Sequence, residues 1–160
     1  MPIHSTTKII TEEYGTVPIH ELAGQTFHIS SRISFFKMFN DIRRIQEAKV
    51  TSKPEPTACH KITLQTPGGF PFDIVASDKQ VWVMREDFLQ YPLRYTTNEL
   101  KLGGLVSLNN LTNPEQEAII IGIEWMYWVH PCYKILTEKY DNYTLDNGTI
   151  MICDYIWMRA

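Results

Sequence analysis

Few side chains in this chain can do covalent chemistry, and they are scattered: the thiols Cys59, Cys132 and Cys153, the hydroxyl of Ser5, and five imidazoles. Cys59 and His60 adjoin, and a cysteine nucleophile needs an imidazole base. Neighbours along a strand point to opposite faces, however, so both are expected to be structural. His4, His20, His28 and His130 show no ligand spacing, and three unclustered cysteines make no metal site. Neither a cofactor nor a metal is expected. Pro67-Gly68-Gly69 lacks the lysine and the helix of a phosphate cradle, so it is a turn. Trp125, Tyr127, Trp128 and Trp157 have no accompanying basic residues, which favours core or interface packing over base stacking. A free amine on Pro2 would be a general base, but nothing around it suggests a substrate site.

The elements that must position these residues are short strands. Val, Ile, Thr and aromatic runs at 7–11, 16–19, 24–30, 59–66, 70–76, 79–84, 104–108, 117–128, 132–137 and 149–158 predict an all-β fold. Gly15, Pro67-Gly68-Gly69, Asn109-Asn110 and Asp146-Asn147-Gly148 separate them. The last is the strongest hairpin signal, because Asn-Gly tolerates positive φ. Asn113-Pro114-Glu115 suits a short helix start near 114–118.

One segment departs from this pattern. Phe35, Phe36, Phe39, Ile42 and Ile45 recur at helical spacing, with Lys37, Asp41, Arg43, Arg44 and Glu47 outside that face. An amphipathic helix is expected over 33–48, covering an open sheet or docking a partner. Residues 85–100 are a second departure, with a candidate helix start near Glu86-Asp87 broken at Tyr91-Pro92.

Three stretches together resemble a known family. Residues 7–22, TKIITEEYGTVPIHEL, resemble the opening block of inteins, the self-splicing proteins of the Hint fold. Residues 60–83 resemble the second block, and CYKILTEKYDNYTLDNGTIMIC, residues 132–153, aligns without a gap with the closing blocks. The resemblance implies a pseudo-symmetric all-β horseshoe over residues 1–153, in which 3–11 and 149–153 meet near the centre. Residues 154–160 form an extension packed on the domain or on a partner.

The same resemblance implies that the chemistry is gone. Pro2 stands where an intein has its Cys or Ser nucleophile. The Thr-x-x-His box reads Ala76-Ser77-Asp78-Lys79, retaining only Asp78. Lys134 replaces the closing-block Asp, Asp141 its His, and Ile152-Cys153 the final His-Asn. Splicing needs a first-residue nucleophile, a general acid near neutrality and a terminal side-chain amide. None is retained, so no catalytic residue is assigned. Opposite charges at the vacated positions suggest that Asp141 pairs with Lys79 or Lys134.

The expected function is a non-enzymatic structural or protein-interaction component, with a phage virion or accessory setting. Phe35, Phe36, Phe39, Arg43, Arg44, Tyr155 and Trp157 are the candidate contact surface. Other protein chains are the expected partners, with no small-molecule substrate. The alternatives are residual autoprocessing through Cys153 or Ser5, and a nucleic-acid module using 32–49. A net charge of −3 counts against the latter, since polyanion binders carry a basic field. No apolar run approaches the ~18 residues of a membrane span. No signal-peptide pattern opens the chain, so a reduced, intracellular setting is expected.

Overall fold

Hairpins dominate the architecture because glycines sit where the backbone must reverse. Gly15 has φ 67° and Gly148 φ 94°, the left-handed region closed to most side chains. A computed structural model describes residues 3–32, 43–84, 93–109 and 117–153. Fourteen strands are present among these: β1 Ile3–His4, β2 Lys8–Thr11, β3 Gly15–Pro18, β4 Thr26–Arg32, β5 Arg43–Val50, β6 Glu55–Gln65 and β7 Phe72–Ser77. The rest are β8 Val81–Met84, β9 Leu93–Thr96, β10 Leu105–Ser107, β11 Glu117–Tyr133, β12 Ile135–Thr137, β13 Asn142–Thr144 and β14 Ile150–Ile152. Two single 3-10 turns, Ile19–Leu22 and Thr97–Glu99, are the only helical pieces among the described residues. The fold is all-β.

A nine-stranded sheet runs β1-β7-β6-β11-β10-β8-β14-β13, with β9 alongside β8; β12-β5-β4 and β2-β3 form two smaller sheets. The opening segment meets the closing hairpin at residues 145–146, just before the 149–153 stretch expected to lie beside it. Ile9 bridges Leu145, and the Asp146 N–H donates to the Lys8 carbonyl at 3.1 Å. One apolar core joins Ile3, Ile9, Phe27, Val50, Ile62, Trp82, Tyr143 and Leu145 across all three sheets. Burying a side chain of this size contributes about 1.5–3 kcal/mol.

The helix expected over 33–48 is corrected where it can be seen. Residues 43–50 are strand β5, paired residue by residue with β4 from Arg32↔Arg43 to Thr26↔Lys49. Gln46 and Ala48 face inward while Ile45 is 62% exposed, so the inward side alternates with period two. Phe35, Phe36 and Phe39 lie outside the described residues, as do Pro2, Tyr155 and Trp157. The start of the expected 114–118 helix lies outside them too, whereas Glu117 and Ala118 open β11. The expected strand 132–137 is split, because β11 ends at Tyr133 and β12 begins at Ile135. β1, β9 and β13 were not anticipated.

Candidate functional site

The described positions singled out by sequence lie on β7 and the turn after it, at the β11–β12 corner, just before β13, and on and just after β14. Ala76, on β7, is fully buried and sits in register with Ile3 of β1 and His60 of β6. Lys79 occupies the exposed turn between β7 and β8. Asp78 beside it is held firmly. Its N–H donates to the Ala58 carbonyl at 3.0 Å, and its carboxylate accepts from His60 Nδ1 at 2.6 Å. This is the base-and-orienter half of a catalytic triad, yet no thiol or hydroxyl is hydrogen-bonded to that imidazole among the described residues.

Cys153, the residue after β14, is buried, and its N–H donates to the Asp141 carbonyl at 2.7 Å. Burial pushes the thiol up to about 12, so almost none of it is thiolate at neutral pH. Tyr143 is likewise held well above the usual phenol range, first by burial and then by the neighbouring Cys153 and Cys132. Cys59 and Cys132 bring their sulfurs to 3.4 Å in the same interior. The Cys132 thiol hydrogen bond lowers Cys59, and its own proton is held correspondingly more tightly. The three cysteines are free and buried, as expected.

The anticipated pairing of Asp141 with Lys79 or Lys134 is corrected. Asp141 Oδ2 pairs with Arg94 Nη1 at 3.0 Å, whereas Lys134 Nζ reaches Glu55 at 3.4 Å. Lys79 lies out on its turn, and Lys134 is fixed at the β11–β12 corner, where its N–H donates to Thr51 Oγ1 at 3.2 Å. Arg94, extending from β9, fills the place intended for them. These pairs are half-exposed, so each contributes at most about 1 kcal/mol.

A buried polar clamp was missed by sequence. Gln46 Oε1 accepts from the Lys139 and Tyr140 N–H groups, both at 2.8 Å, while Nε2 donates to the Tyr140 carbonyl and to Ser31 Oγ. Ser31 Oγ donates in turn to the Asn142 carbonyl at 2.7 Å. The Asn142 amide grips the backbone of Arg32, accepting from its N–H at 2.8 Å and donating to its carbonyl at 2.9 Å. β4 and β5 are thereby tied to the closing segment. Gln46 on an otherwise amphipathic run gave no sign of this, since its value lies in partners some 90 positions away.

Among the described residues no group of three His, Cys, Asp or Glu side chains can hold a metal. No helix among them is long and apolar enough to cross a membrane. Arg43 and Arg44 begin β5, on a strand rather than on a helix edge.

Neither a family model nor a curated protein matches the sequence. Solved structures do match in shape. The chain is similar to a DnaB intein from Synechocystis sp. PCC 6803, with a TM-score of 0.72, 15% identity, and 96% of this chain and 98% of that one covered. It is similar to a bacterial intein-like domain from Clostridium thermocellum, with a TM-score of 0.64, 12% identity, and coverage of 96% and 98%. The gp41-1 intein aligns with a TM-score of 0.63, 16% identity, and coverage of 94% and 97%. With the β1–β7–β11 centre, the closing hairpin and these three alignments in view, the chain has an intein-like Hint fold.

Proposed function

We propose that this Hint-fold chain does not splice and serves as a structural or protein-interaction component. The observation that carries the reading is the state of Cys153. It stands where the resemblance places the terminal Asn, it has no side-chain amide, and its thiol is buried and pushed up to about 12. Neither cyclisation nor thiolate attack is available to such a group. Lys79, at the position of the second-block His, is exposed, and an ammonium ion is a poor general acid near neutrality. Ala76 cannot hydrogen-bond a scissile amide, and Pro2 carries no side-chain nucleophile. A phage virion or accessory role is the setting we favour, since intein-like elements are common in phage and bacterial genomes.

Prolonged incubation of the purified chain with excess thiol, followed by intact mass, tests the reading. A single unchanged mass is expected. A fragment ending at Ile152 with its complement beginning at Cys153, or a fragment beginning at Ser5, would establish autoprocessing instead.

A further inference from the structure

The middle of β11 is uncovered in a way the rest of the sheet is not. No residue from Ile121 to Pro131 is buried, although Ile121, Ile123, Trp125, Tyr127, Trp128 and Val129 all lie there. Its backbone is open as well. On the edge away from β6, β10 pairs only Glu117–Ile119, Gly103 and Gly104 bond Ile120, and β1 pairs Cys132 and Tyr133. Between Ile121 and His130 that edge carries no ladder among the described residues. An apolar strand edge of this kind is a template for pairing with another chain.

A bulge sharpens the feature. The register with β6 jumps from Trp125↔His60 to Val129↔Ala58, so Met126, Tyr127 and Trp128 together face Cys59 alone. Trp128 is held at φ 67°, the only positive φ among the described non-glycine residues. Strained bulky residues of this kind cluster at functional sites. The result is that Tyr127 is 73% and Trp128 81% exposed, with the Trp125 and Tyr127 rings 5.0 Å apart.

We propose that Ile121–Val129 of β11 is a self-association surface, through which two copies of the chain pack edge to edge about a two-fold axis. The six side chains present roughly 800 Å² of surface, more than the largest apolar patch of a typical monomer. Fully covered on both copies this surface amounts to at most roughly 1,600 Å², within the range of a specific interface. Charge points the same way. Glu124 is the only ionised group of the span, and Lys61 already meets it at 2.9 Å. A two-fold copy therefore brings no unpaired like charge, and no charge pattern selects an acidic or basic partner. An isologous contact also completes both open edges at once, whereas another protein would need a free strand of its own. The proposal goes beyond the non-splicing role and does not depend on it, because intact mass reports processing and sedimentation reports association.

Sedimentation velocity of the full chain over a concentration series is the test. The expected species has twice the 18.6 kDa chain mass. Ile123→Lys with Trp128→Glu should leave a folded monomer, by far-UV circular dichroism, at every concentration. Phe70→Ser with Tyr14→Ser, which removes exposed aromatic groups elsewhere, should leave the dimer intact. Should the β11 double variant not fold, Tyr127→Ser alone is expected to raise the dimer dissociation constant about tenfold or more. A wild-type monomer throughout, including one that binds lipid vesicles instead, would overturn the proposal. So would a folded β11 variant that still dimerises, or a Tyr127→Ser chain with unchanged affinity.

Discussion

The closing segment 142–153 and the middle of β11 are both rich in β-branched and aromatic residues, yet they are used in opposite ways. In the first, every residue but Asp146 and Asn147 is buried; in the second, between Ile121 and Pro131, none is. The difference is topological. β14 lies between β8 and β13, and Asn142 ties β13 to β4, whereas among the described residues mid-β11 has only β6 beside it. Composition decides that a segment is a strand, and the number of neighbours decides whether its side chains become core or surface.

The largest test of this contrast lies in the clamp that closes the buried region. Gln46→Ala would remove the acceptor of the partly buried Lys139 and Tyr140 N–H groups and a donor to Ser31 Oγ, while the Tyr140 carbonyl keeps Thr137 Oγ1 as its donor. A loss of about 3–5 kcal/mol in chemical denaturation is expected. By contrast Ile45→Ser, one position earlier on the exposed side of β5, should change stability by less than about 0.5 kcal/mol.

A second effect comes from Cys153. Its folded value lies near 12, raised from the ordinary 9.0, so the folded chain keeps this proton where the unfolded chain loses it. The contribution is fully present below about pH 9 and is lost as pH rises from about 9 to about 12, at about 1.4 kcal/mol per unit. Cys153→Ala should reduce that slope by one proton's share in pH-dependent denaturation and leave the falls contributed by Cys132 and Tyr143. An unchanged slope would mean that the thiol is not buried as described.

The smallest effect is in the exposed region. Trp128→Gly relieves the left-handed backbone strain and should stabilise the folded chain by about 1 kcal/mol, measured where the chain sediments as a monomer. The same change should weaken self-association. Destabilisation of the monomer would show that the Trp128 ring packs on its own domain after all.

How much of this was legible in sequence follows the same division. Asp146-Asn147-Gly148 announced its hairpin because positive φ at Gly148 has a residue-level signature, and Thr144 indeed pairs Ile150 across it. β5 was misread because its polarity is inverted: Ile45 faces out while Gln46 faces in, and Ile45 continued an apolar spacing begun by the phenylalanines. The Arg94–Asp141 pair was missed because β9 was not anticipated, so no cation was available on that edge. The buried position of Ala76 was legible as part of a strand, but its register with Ile3 and His60 depends on long-range pairing that local periodicity does not encode.

We propose that this Hint fold persists without its chemistry. The most direct measurement places the chain between two folded marker domains and follows intact mass with time. The natural chain is compared with a version carrying Pro2→Cys, Ala76→Thr, Lys79→His, Ile152→His and Cys153→Asn. The account predicts a natural chain that stays a single polypeptide and a restored chain that cleaves at one junction or both. Cleavage or ligation of the flanks by the natural chain would contradict it.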